Sequence, residues 1–159
     1  MRANDLPLAR LIAFMLPLVL LAGAWGSQLL GGLYPCEMCH WQRWPHYAAL
    51  ALAALSFVAP RTSAKRALVI LAGVAILVSG LIGVFHAGVE YHWWQGVTAC
   101  TNTLKATGGD LLAAIVAQPV IRCDVAQWSF LGISLAGFNA IFSIAGALAV
   151  LILATRRRT

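Results

Sequence analysis

Four stretches of the chain carry no charged side chain. Leu11 to Leu30 is interrupted only near its end, by Ser27 and Gln28. Trp44 to Ala59 is rich in Ala and Leu. Ala67 to Val89 runs without a charge, and so does Val125 to Thr155, whose most apolar part follows Leu135. A helix crossing hydrocarbon needs about 20 apolar residues, with a range of about 17–25. The first, third and fourth stretches meet that length. The second is short, and Trp44-Pro45 blurs its start, but without it the flanking charges would fall on inconsistent sides. The pattern predicts an all-α fold, an integral membrane four-helix bundle. A single domain covers residues 1–159, with spans at about 11–32, 43–60, 67–88 and 135–155. Two outer loops are expected, at about 33–42 and 89–134.

Composition supports this. Of the 159 residues, 61% are hydrophobic and 10% charged, against about 25% charged in an average soluble domain. A soluble fold of this size could not hide so much apolar surface. The first stretch has basic residues before it, and Ala22-Gly23-Ala24 resembles a cleavage site, but the run continues to about Leu33, too long for a signal-peptide core. With four spans, Arg2, Arg10, Arg61, Lys65, Arg66, Arg156, Arg157 and Arg158 share one side, and only Arg43, Lys105 and Arg122 fall on the other. Lys and Arg concentrate on the cytoplasmic side of short loops, so both termini are expected there. The net charge of +6 is then an orientation signal, with Arg156-Arg157-Arg158 against anionic lipid head groups. It is no nucleic-acid footprint. No nucleotide-binding glycine motif opens a helix after a strand.

The cysteines are Cys36, Cys39, Cys100 and Cys123. The topology puts all of them on the non-cytoplasmic side, where disulfides persist, as in a bacterial periplasm or an ER lumen. Cys36-Glu37-Met38-Cys39 is a C-x-x-C motif. A bond across so small a ring constrains little chain entropy, which makes it a poor staple and a plausible redox couple. Cys100 and Cys123 are widely separated and could be either structural or redox-active. Pro35 suits a first helical position, so the second helix is expected to start near Cys36. Helix spacing then puts Cys36, Cys39 and Arg43 on one stripe. An arginine so close to the bilayer is costly. Either it snorkels to the interface, or it stabilises a Cys39 thiolate or binds the oxygen of an electron acceptor.

The segment from Cys36 to Leu50, with Cys36, Cys39, Gln42, Arg43 and Pro45 in a Cys-x-x-Cys-x-x-Gln-Arg-x-Pro core, resembles the signature of the DsbB disulfide-bond formation proteins. His86 to Glu90, then Trp93-Trp94 and Thr98 to Thr101, is similar to that family's entry to its second outer loop. Cys123-Asp124 and Trp128 to Asn139 resemble its exit into the last helix. The likeness covers nearly the whole chain. It implies a quinone-dependent protein-dithiol oxidoreductase in the bacterial inner membrane with its active cysteines in the periplasm. The DsbA–DsbB–quinone system is known to keep that compartment oxidising. By the resemblance, Cys100 forms a mixed disulfide with a reduced DsbA-like thioredoxin-fold protein. Cys123 resolves it or passes electrons to Cys36. Cys39 faces a quinone (ubiquinone or menaquinone) with Arg43 beside the ring.

Other residues fit around this frame. Asp110 is a candidate N-cap for a short helix over Leu111 to Gln118, at about 12 Å too short to span a bilayer. It would lie at the interface or pack on the bundle. His86 and Glu90, one helical turn apart, could line a quinone pocket or simply make interfacial hydrogen bonds. His46 and His86 are the one histidine pair that could meet a haem, a cofactor that would leave the cysteines unexplained. Zinc would explain the C-x-x-C but not the split second pair, so no metal is expected. The tryptophans read as an interfacial belt, and Gly73, Gly80, Gly83 and Gly88 as close helix contacts. Two other classes remain: a four-span protein with static loop disulfides, and an enzyme like vitamin K epoxide reductase. In the latter the C-x-x-C is expected after the loop pair, not before it.

Overall fold

The computed structural model describes residues 5–98 and 121–156. Cys100 and the short helix expected over Leu111 to Gln118 lie outside the described residues. Among those described, four long helices form, α1 (Asp5–Leu29), α2 (Glu37–Val58), α3 (Thr62–Glu90) and α4 (Leu135–Thr155). They close a ring in which α1 packs on α2, α2 on α3, α3 on α4 and α4 back on α1. The seams are lined by small side chains, Ala9, Ala13, Ala49, Ala53, Ala72, Ala147 and Ala154, with Val69, Ile76 and Val150 filling the middle.

α1, α3 and α4 are long and apolar enough to cross a membrane. α2 is not among them, although it has 22 residues, because its first half carries Gln42, Arg43 and His46, all buried inside the ring. α1, α2 and α3 extend beyond the expected spans at their starts. α1 and α3 begin several residues earlier, since Asp5 and Thr62 to Arg66 continue the helix into polar sequence. α2 begins at Glu37 with Cys36 as its N-cap. Pro35 therefore precedes the cap and does not occupy the first helical position.

A short hairpin accompanies the helices. Ahead of α4, β1 (Ser129–Phe130) and β2 (Ile133–Ser134) pair antiparallel, with Ser129 opposite Ser134. Leu131 and Gly132 take φ of 51° and 77°, the doubly positive turn that matches strand twist. A leucine adopts that conformation only under external constraint. Tyr91 provides it, its hydroxyl donating to the Gly132 carbonyl at 3.0 Å and accepting from the Ser134 N–H at 2.9 Å.

The α3 glycines do pack closely. A Cβ at Gly80 would sit 2.8 Å from Ile144 Cγ1, and one at Gly83 3.0 Å from the Ala136 carbonyl oxygen, so both hold α3 against α4. Gly88 instead makes room for the Trp94 ring.

Candidate active site

The N-terminus of α2 sets the geometry. The Cys36 sulfur accepts the Cys39 N–H at 3.3 Å, occupying the place of a capping oxygen. That brings the two sulfurs to 2.9 Å, inside non-bonded contact and a small side-chain rotation away from the roughly 2.05 Å of a disulfide bond. The hydrogen bond to Cys39, then burial, push the Cys36 thiol above its ordinary range. Either sulfur can donate across their contact.

Cys123 arrives from the segment ahead of β1. It is fully buried in one apolar cluster with Cys36, Met38 and Val89, packed by Cys39, Trp41, Phe85 and Ile121. Its sulfur accepts from the Thr98 hydroxyl at 3.5 Å. The first C-x-x-C cysteine and a cysteine of the distant pair thus share one dry compartment. Burial of Cys123 follows from the chain path, because Gln127 reaches back to the Tyr34 carbonyl at 2.7 Å and joins the two outer segments. Next to Cys123, Arg122 grips Asp124 through Nε at 2.9 Å and Nη2 at 2.5 Å, which holds the Asp124 carboxyl below its usual range.

Beside the sulfurs lies a cavity of about 380 Å³, within the usual size of small-molecule sites. Cys36, Cys39, Arg43, His86 and Glu90 line its polar end, while Val19, Leu20, Ala24, Phe138 and Phe142 supply apolar walls from α1 and α4. Of the described residues expected at the site, Cys36, Cys39, Arg43, His86 and Glu90 line this cavity, and Cys123 lies in the buried cluster that includes Cys36.

Arg43 does not snorkel. It is 8% exposed and turns toward α1, where Nη1 donates to Gln28 Oε1 at 2.9 Å and Nη2 to the Ala24 carbonyl at 3.0 Å. Its guanidinium lies 5.4 Å from the Trp25 ring centroid. These contacts use two of five N–H donors. His86, 2% exposed, puts Nε2 3.5 Å from the Cys36 sulfur and 3.8 Å from Glu90 Oε1. Glu90 also accepts from the Ser134 hydroxyl at the N-cap of α4. The ligand atoms of Cys36, Cys39 and His86 lie within 4.8 Å of one another, close enough to surround a soft metal ion.

Sequence reasoning missed the support around these groups. Gln42, Ser79, Asn139, His46 and Ser143 form one hydrogen-bonded chain across α2, α3 and α4. The signal was present, since each is a polar residue inside or beside an apolar run, and such residues in membrane-type helices face one another. Gln28, a strongly polar side chain late in the first run, gave the same sign.

Comparison with known proteins agrees with the geometry. The family model described as "Disulfide bond formation protein DsbB" matches residues 7–153. A "Disulfide bond formation protein B" of Polaromonas sp. (strain JS666 / ATCC BAA-500) is 28% identical over 136 residues, covering 79% of this chain and 76% of that protein. No solved structure matches.

Proposed function

The chain belongs to the DsbB family of disulfide-bond formation proteins, and from that premise we propose that it is a four-span inner-membrane enzyme. It reoxidises a periplasmic DsbA-like dithiol protein and delivers the electrons to a membrane quinone. The observation that carries this is one cavity joining Cys36, Cys39 and Arg43 to apolar walls on α1 and α4. In a bilayer such walls face the acyl chains, so a lipid-dissolved ligand could enter sideways.

The residues fit a quinone. Its ring matches a cavity walled by Leu, Val and Phe, and its oxygens need donors, which Arg43 retains. When bound, a quinone takes up two electrons and two protons, the yield of one dithiol.

The chain's own steps are those the family resemblance implies for its two cysteine pairs. The partner's thiolate attacks Cys100 in a Cys100–Cys123 disulfide, so the mixed disulfide forms on Cys100 and Cys123 leaves as thiolate. The partner's second thiolate releases its own disulfide and leaves the Cys100–Cys123 pair reduced. The Cys123 thiolate attacks Cys36 in the Cys36–Cys39 disulfide, forming Cys36–Cys123 and expelling Cys39 as thiolate beside the cavity. The Cys100 thiolate then attacks Cys123, restoring Cys100–Cys123 and expelling Cys36. Two electrons now rest on Cys36 and Cys39, next to the acceptor site. Exchange of this kind needs each attacking sulfur as thiolate in contact with its target, and the burial of Cys123 in one cluster with Cys36 supports the middle step.

Four crossings also put α2 in the membrane, where its polar face is hidden inside the ring and its outer face, with Tyr47, Leu55, Phe57 and Val58 exposed, meets lipid. Both termini then lie in the cytoplasm and the sulfurs in the periplasm.

The test follows quinone absorbance in detergent-held protein after addition of a reduced DsbA-like protein, with ubiquinone and menaquinone analogues in turn. Quinol formation that needs both proteins is expected. Its absence in folded protein with either quinone and two such partners would overturn the assignment.

A further inference from the structure

The polar chain behind the cysteines has a direction, and two backbone carbonyls set it. A carbonyl only accepts. Asn139 Nδ2 lies 3.2 Å from the Ser79 carbonyl, so that atom is the amide nitrogen, and it also donates to Gln42 Oε1 at 2.8 Å. The other end of the Gln42 amide is therefore nitrogen, in agreement with its 3.3 Å contact to the Met38 carbonyl. That nitrogen donates to His86 Nδ1 at 2.7 Å. His86 Nδ1 is thus an acceptor, and the ring proton sits on Nε2, 3.5 Å from the Cys36 sulfur. With a proton there, that nitrogen has no lone pair for the metal that the spacing of Cys36, Cys39 and His86 would otherwise admit.

We propose that Gln42 and Asn139 are positioning residues that hold His86 in its Nε2–H form, so that His86 donates a hydrogen bond to the Cys36 sulfur as it departs as thiolate. The step rests on the exchange sequence proposed above. An incoming thiolate, that of Cys100, attacks Cys123 in the Cys36–Cys123 disulfide. A new sulfur–sulfur bond forms to Cys123, the Cys36–Cys123 bond breaks, and its electron pair leaves on Cys36. Cys36 is 3% exposed, so water gives that charge little help. The Cys39 N–H and the His86 Nε2–H, the latter shared with the Cys123 backbone, take water's place as donors. The titratable groups facing this point are Cys39, Arg43 and His46 on α2, Glu90 on α3, and Cys123 and Arg122 ahead of β1.

The experiment uses full-length protein in detergent with ¹⁵N-labelled histidine, whose nitrogen shifts separate protonated from bare ring nitrogens. His86 is assigned by comparison with His86→Gln. The unsubstituted protein is expected to show a bare Nδ1 and a protonated Nε2, and Gln42→Leu a mixture of tautomers. A second readout titrates the ultraviolet thiolate absorbance of Cys36 in a Cys39→Ala chain against the same chain lacking Cys36. Adding Gln42→Leu is expected to leave about tenfold less thiolate at any pH below the midpoint, on the order of one charge-assisted hydrogen bond. A protonated Nδ1 on His86 in the unsubstituted protein overturns the proposal whether or not Gln42→Leu folds. A Cys36 titration that Gln42→Leu does not move overturns it as well. Neither readout uses quinone or partner, so failure of the electron-transfer function registers separately, as absence of quinol.

Discussion

Replacing Arg43 by methionine separates a structural arginine from a ligand-binding one. The substitution keeps the length of the stem and removes the fork. Two charge-assisted hydrogen bonds to α1 are lost, at 2.9 and 3.0 Å, worth about 1.5 kcal/mol each at the low end. The Trp25 contact adds about 0.5–1 kcal/mol. Against this stands the cost of holding a charged arginine at membrane depth, about 2.5–3.5 kcal/mol at the bilayer centre and less nearer the surface. The terms nearly cancel, so thermal unfolding of the variant in detergent is expected to shift stability by no more than about 1–2 kcal/mol. Quinone use should respond differently. One lost hydrogen bond from a cation to a ligand oxygen, about 1.5–3 kcal/mol, raises the quinone KM roughly 10–100-fold at 1.36 kcal/mol per decade. The KM for the dithiol partner stays unchanged. Steady-state assays varying one substrate at a time read both values. An unchanged quinone KM would refute the placement of Arg43 at the acceptor, and a collapse in stability would show that its work is to tie α1 to α2.

Other consequences are direct. Cys39→Ser should abolish quinol formation, while Cys36 can still attack Cys123 in the Cys100–Cys123 disulfide and expel Cys100, giving a Cys36–Cys123 bond seen by mass spectrometry; retained turnover would show that another sulfur donates the electrons. Gly80→Val should force α3 from α4, because its Cβ alone would meet Ile144 Cγ1 at 2.8 Å and Ser143 Cβ at 3.1 Å. The expected cost is about 1–3 kcal/mol, read from the unfolding midpoint. The Asp124 carboxyl, depressed by Arg122, contributes stability fully present above the ordinary aspartate pKa of about 3.9 and lost as pH falls through its lower folded value. NMR titration should therefore find Asp124 ionised below that point, and Arg122→Ala should return it to the ordinary range.

The sequence by itself determined the helices and the chemistry at one end of them. Long uncharged runs of this length suit a helix that satisfies its own backbone in or beside hydrocarbon, and the run expected over 135–155 forms α4. A C-x-x-C capped by its own sulfur and followed by Gln42 and Arg43 is local, because helix spacing alone puts those side chains on neighbouring faces. What depends on contact between distant segments was not legible. Apolarity does not state which face turns inward, so the short run over Trp44 to Ala59 does not show that Gln42, Arg43 and His46 give α2 a polar interior face. The β1–β2 hairpin was missed because Tyr91, far away in sequence, stabilises a turn that Leu131 disfavours on its own. Only the tertiary structure buried Cys123 against Cys36, turned Arg43 onto α1, and set the direction of the Gln42–Asn139 hydrogen bonds. Those features depend on which donor meets which acceptor across three helices, and pairing at long range leaves no periodic mark in the chain.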